Sequence, residues 1–204
     1  MKELHLISTG KQSIETFVHI SSFVHAYADF IHIREKHRSA KEIGIIVEQL
    51  LEANVPAQKI VINDRVDVAV VYGVGGVQLA HHSLSPKQIK GKFPFLRVGC
   101  SVHTFEEAKR AEKEGADYVI FGHIYETNCK EGRKPRGLSS LRQLTSHVRI
   151  PVVAIGGVKP FHVRDVFMTG VKGIAVMSTV FEADNPLHMV QRYRKQMGAN
   201  TWTF

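Results

Sequence analysis

Several short stretches of this 204-residue chain gather side chains capable of chemistry. In YVIFGHIYETNCK, residues 118–130, four apolar residues lead to Gly122 and then His123, where a buried strand should give way to a loop. An imidazole, with an ordinary pKa near 6.5, is suited there to proton transfer, or to a rim residue hydrogen-bonded to Glu126 or a neighbouring loop. In FIHIREK, residues 30–36, strand parity puts Phe30, His32, Arg34 and Lys36 on one side and Ile31 and Ile33 on the other. If the isoleucines face outward, a guanidinium and an ammonium point at an interior or its mouth, where an unpaired charge is costly. Their counter-ion is either internal, from Asp29, Glu35 or Asp64, or a bound anion. PVVAIGG ends in Gly156-Gly157, and GIAVMS ends in Met177-Ser178 ahead of a short apolar segment. Glycine lets backbone N–H groups approach an anion closely and a helix start attracts negative charge, although a Gly-Gly pair suits a tight turn equally well.

These residues need a frame. Short β-branched runs at residues 4–8, 30–35, 59–63, 76–80, 97–102, 118–122, 151–156 and 173–178 alternate with segments whose apolar residues recur every three or four positions. Ser39, Ser85 with Pro86, and Thr104 with Glu107 three residues on are helix starts, the last a predicted capping box; Gly73, Gly115 and Gly170 close others. Eight strand-and-helix units predict one α/β domain over residues 1–204, a (β/α)8 TIM barrel, with an open doubly wound sheet as the alternative. In a barrel, chemistry belongs at the carboxyl ends of the strands, which is where every stretch above terminates.

Composition narrows the classes. A hydrophobic fraction of 44% and a charged fraction of 23% exclude a disordered or collagen-like chain. The formal charge of +8 is spread over amphipathic segments, with no nucleic-acid-binding motif, so no nucleic-acid partner is expected. No apolar run approaches membrane-spanning length and the N-terminus lacks a leader pattern, which places the chain in the cytoplasm with no membrane partner. Cys100 and Cys129 are expected to be free thiols.

The segments HIREK (32–36), VINDRVDVA (61–69), GVQLAHHSLSP (76–86), VGCSVHTFEEAKRAEKEGADYV (98–119), PVVAIGGVKP and GIAVMS resemble the thiamin phosphate synthase superfamily over nearly the whole chain. The resemblance implies a TIM barrel that binds a phosphorylated thiazole, with phosphate on the loops around Gly157, Met177 and Ser178. Three departures stand out. His32 replaces the glutamine of a Gln-x-Arg-x-Lys pattern; His81-His82-Ser83 replaces a Gln-Glu-Asp triplet, so that of two magnesium-binding carboxylates only Asp64, beside Asn63, survives; and His123 replaces a proline. With them the chain resembles the thiazole tautomerase, or TenI-type, branch. That likeness implies a metal-independent isomerase without cofactor, acting on a carboxylated thiazole phosphate. His123 would be the acid/base, and Arg34 with Lys36 would hold the substrate carboxylate. His32, Asn63, Ser101, Thr127 and Lys130 would be further substrate contacts, and relatives suggest a homodimer. The alternatives are a non-catalytic protein that binds thiazole phosphate or thiamin phosphate, and a residual thiamin phosphate synthase.

Overall fold

Alternating polar and apolar residues in the first strand already divide the molecule into an inside and an outside. In β1 (Glu3–Ile7), Leu4 and Leu6 pack outward into the main core, while His5 and Ile7 face the opposite way. A computed structural model describes residues 2–127, 132 and 134–198. It contains β2 (Phe30–Ile33), β3 (Ile60–Asn63), β4 (Gly76–Leu79), β5 (Arg97–Val102), β6 (Tyr118–Gly122), β7 (Val152–Ile155) and β8 (Gly173–Val176). All neighbours pair in parallel, and β8 closes on β1 with Glu3 opposite Gly173, giving a barrel in sequence order. The open-sheet alternative is excluded.

The outer ring consists of α1 (Ile14–Val24), α2 (Ala40–Glu52), α3 (Val66–Val71), α4 (Pro86–Lys90), α5 (Phe105–Lys113), α6 (Gly137–His147), α7 (Val163–Phe167), α8 (Ser178–Phe181) and α9 (Pro186–Gln196). Ser39 and Ser85 make full capping boxes with Glu42 and Gln88. Thr104 accepts from the Glu107 N–H, but the Glu107 carboxylate takes the N–H of His103 rather than that of Thr104, so the predicted box is half formed. Ile31, Ile33, Ile60 and Ile62 are fully buried between sheet and helices. Burying each side chain contributes roughly 1.5–3 kcal/mol, and loss of any one would be felt across the whole barrel wall. Among the described residues no helix is long and apolar enough to cross a membrane.

The barrel interior is not uniformly apolar. Ile7, Tyr118, Ile120, Val153 and Ala175 fill one part of it. The rest holds buried His5, His32 and Gln78, with the Arg97 guanidinium 4.1 Å from the Phe30 ring centre and 4.5 Å from that of Tyr118. Aromatic faces on two sides and Glu3 at 3.3 Å compensate Arg97 for lost hydration.

Candidate functional site

The carboxyl ends of the strands bring most of the described candidate residues to one rim, with His32 deeper inside. Arg34 follows β2 directly, and its backbone N–H donates to the buried hydroxyl of Ser8, just after β1, at 2.8 Å. The three carboxylates that could have neutralised it are committed elsewhere. Asp29 pairs with Arg194, Glu35 with Arg38, and Asp64 meets Ser83 and His82. Among the described residues, no ion pair involves Arg34 or the exposed Lys36, so the mouth carries two cations available to an anion.

Asn63 ends β3, and Asp64 follows with φ of 66°, a left-handed conformation that aspartate tolerates better than most residues. Its N–H donates to Gln78 O at 2.9 Å, tying the turn to β4. The Ser83 hydroxyl, after β4, accepts from the Ala80 N–H at 2.8 Å and donates to one Asp64 oxygen. His82 Nε2 stands 3.4 Å from the other. His81 and His82 are exposed loop residues beyond β4, with their rings edge to face. No cluster of three or more histidine, cysteine or acidic side chains suited to a metal occurs among the described residues. The all-oxygen pair Asp64 and Ser83 nevertheless fits magnesium of the kind that takes most of its ligands from phosphate and water.

His123 sits immediately after β6 and is only 7% exposed. Its carbonyl accepts from the Arg136 N–H at 2.9 Å, and the next residue, Ile124, donates to Ile155 O at 3.0 Å, so the loop after β6 lies against the one after β7. This packing explains the double glycine. At Gly156 (φ 97°) an added Cβ would overlap the Cα and Cβ of His123, and at Gly157 (φ 65°) one would overlap the backbone of Tyr125 and Glu126. The glycines therefore serve a close approach of two loops, in addition to any anion they hold. Met177 and Ser178 lie beyond the neighbouring β8, with Ser178 opening α8 and Met177 O accepting from Val180 and Phe181.

His32 lies deeper than the rim residues. It is fully buried on the inner face of β2 and its Nε2 is 2.9 Å from His5 Nδ1. Ser101, half-buried on the inner face of β5, accepts from Gln78 Nε2 at 3.1 Å. Thr127 is half-buried in the loop after β6, and Lys130 and Cys129 lie outside the described residues. Cys100 is a buried free thiol whose pKa burial pushes up to about 12, which removes it as a nucleophile.

Two features escaped the sequence reading. His162 is half-buried beside the glycine turn: its ring stacks on Tyr125 at 3.8 Å, and its Nδ1 lies 3.2 Å from both the Lys159 backbone nitrogen and Gly157 O. The second is the chain Glu3–His5–His32, with His5 Nε2 3.2 Å from Glu3 Oε2. Strict alternation in Glu3-Leu4-His5-Leu6 was the signal, since it turns two ionisable groups into the barrel. Burial holds both imidazoles below the ordinary histidine pKa, His32 well below, with the nearby His5 and Arg97 charges acting the same way on His32. Burial alone would raise the Glu3 carboxyl, but the hydrogen bond from His5 and the Arg97 charge hold it lower than usual.

Comparison with known proteins adds independent evidence. The family model described as thiamine monophosphate synthase matches residues 4–180. A thiamine-phosphate synthase of Pyrococcus furiosus is 42% identical over 134 residues, 66% of this chain and 65% of that protein. One of Pyrococcus horikoshii is 35% identical over 82% of both chains. The solved thiamine phosphate pyrophosphorylase from Pyrococcus furiosus superposes with a TM-score of 0.82 at 33% identity, covering 96% of this chain and 95% of that one. A 3-hexulose-6-phosphate synthase, at 16% identity and a TM-score of 0.72, shares the barrel alone.

Proposed function

Because the chain belongs to the thiamine monophosphate synthase family, we propose that it is a transferase that joins a phosphorylated thiazole to a pyrimidine carried on a diphosphate. This corrects the tautomerase expectation: relatives 30–42% identical to the chain are thiamine-phosphate synthases, and His123 in place of proline is not enough to set a different reaction against that likeness. The observation that carries the reading is the continuous match over residues 4–180, supported by the contact between Asp64 and Ser83 at the rim.

In this scheme the thiazole phosphate rests on backbone donors of the turns at Gly157, Met177 and Ser178, where two neighbouring strands end. Arg34 and Lys36 face the diphosphate and offset its charge as the carbon–oxygen bond to the pyrimidine methylene breaks and the thiazole nitrogen takes that carbon. Asp64 and Ser83 would hold magnesium, which when bound neutralises the departing diphosphate. Ser8 fixes the Arg34 backbone, which holds the guanidinium-bearing residue in place at the end of β2. The test is direct. Purified protein given both substrates and magnesium should form thiamin phosphate; none formed, while a Pyrococcus synthase run alongside forms it, would remove the proposal.

Two substitutions probe the scheme. Arg34→Ala should lower kcat/KM by about 10²-fold, as loss of a preorganised donor to developing charge does, with thermal stability unchanged. Ser83→Asp should lower the magnesium concentration needed for half-maximal rate by about tenfold, because a second carboxylate replaces a neutral oxygen on a hard dication. Manganese binding, read by loss of its free electron-spin signal, should tighten in parallel.

A further inference from the structure

Beneath the rim, the Glu3–His5–His32 chain has no part in the scheme above, and its hydrogen bonds leave little freedom. Arg97 lies 3.3 Å from the Glu3 oxygen that meets His5, which favours an ionised carboxylate. A carboxylate only accepts, so the single hydrogen of a neutral His5 sits on Nε2 and its Nδ1 is an acceptor. His32 Nε2, 2.9 Å from that Nδ1, must then donate. A neutral ring has one hydrogen, and His32 Nδ1 is left as a bare lone pair. That atom is fully buried with no hydrogen-bond partner among the described residues, while its residue lies on the inner face two positions before Arg34.

We propose that Glu3 and His5 are positioning residues that lock His32 in the Nε2–H tautomer, so that Nδ1 accepts an N–H borne by the pyrimidine substrate, the thiazole nitrogen being the attacking lone pair. The substrate half rests on the synthase reading; the tautomer lock does not. The arrangement has a chemical consequence for specificity. A ring offering a donor hydrogen is matched, whereas one offering only a lone pair faces another lone pair and leaves both unsatisfied. Gln78 Oε1 and Tyr118 Oη are buried in the same barrel and have no hydrogen-bond partner among the described residues, so the interior is short of partners for more than one of its polar atoms.

The experiment uses the full chain labelled with ¹⁵N in its histidine rings, with His5 and His32 signals assigned from His5→Gln and His32→Gln. Long-range ¹H–¹⁵N correlation on the substrate-free protein should show both rings as Nε2–H. Glu3→Gln, whose amide oxygen still accepts from His5, should keep that pattern. Glu3→Leu should move most of the His5 and His32 populations, about nine tenths, to Nδ1–H and raise KM for the pyrimidine by about tenfold, with kcat within about twofold. His32 found as Nδ1–H in the unsubstituted protein, or Glu3→Leu leaving both rings unchanged, would overturn the lock. An unaltered KM in a Glu3→Leu protein whose tautomers have moved would overturn the substrate contact. If Glu3→Leu does not fold, the spectrum of the unsubstituted chain decides the lock. If no coupling occurs at all, the synthase reading and the substrate contact fall together, and the same spectrum still judges the lock.

Discussion

Gly156→Ala is expected to destabilise the protein by roughly 2–5 kcal/mol and to abolish activity at temperatures where the native chain is fully folded. Two costs add. A non-glycine residue at φ 97° is strained by its own backbone, and the new methyl would occupy the space of the His123 Cα and Cβ. The second cost cannot be relieved locally. Ile124 and Tyr125 donate to Ile155 O and Gly156 O at 3.0 Å each, so the two loops can separate only by breaking the hydrogen bonds that hold the rim together. Urea unfolding measures the loss directly, and a variant within about 0.5 kcal/mol of the native protein would show that the loops are not packed as described. Gly73→Ala is the comparison: it has positive φ but open space around it, so only the backbone cost applies.

Acid should weaken the fold through the barrel interior. His5 and His32 remain neutral in the folded state because burial lowers their pKa values, whereas the unfolded chain takes protons on both near pH 6.5. The unfolded state therefore binds more protons as pH falls below about 6.5, and stability declines with it, by about 1.4 kcal/mol per pH unit for each ring until the folded rings themselves protonate. Glu3, whose folded pKa is depressed, contributes stability above its unfolded value that is lost only at lower pH. The unfolding free energy should be lower at pH 5 than at pH 7.5, and His32→Gln, which removes the ring whose pKa is held well below the ordinary value, should flatten the slope. A flat profile over that interval would mean that the two rings are not buried neutral.

The prediction at Gly156 shows how the sequence reading and the tertiary structure divide. Eight strands, their order and the inward set on β2 were readable because a closed parallel barrel imposes a two-residue period on every strand and a helix between each pair. The ends of FIHIREK, PVVAIGG and GIAVMS reached the rim as expected, since chain direction alone decides which end of a barrel strand faces the site. Family membership was also present in the order of residues, while the narrower reaction inferred from His123 was not, because a single substitution at a strand end does not say which substrate the remaining rim accepts.

Contacts between strands distant in sequence were decided only by closure of the barrel. Asp64 and Ser83 are nineteen residues apart, yet their loops leave adjacent strands, and whether a hydroxyl replaces a carboxylate passively or bonds the survivor depends on the turn at φ 66°. Arg34 could have been neutralised by any of three nearby carboxylates; the helix packing that gives Asp29 to Arg194, 165 residues away, helps leave it available to a ligand. The pattern in Glu3-Leu4-His5-Leu6 placed two ionisable side chains inside, but only the stagger between β1 and β2, with Ile7 opposite His32, sets His5 below His32 and Glu3 below both. Local residue order determines which way each side chain points. Which atoms then meet is a property of the closed cylinder, because its stagger is shared by all eight strands and belongs to none of them.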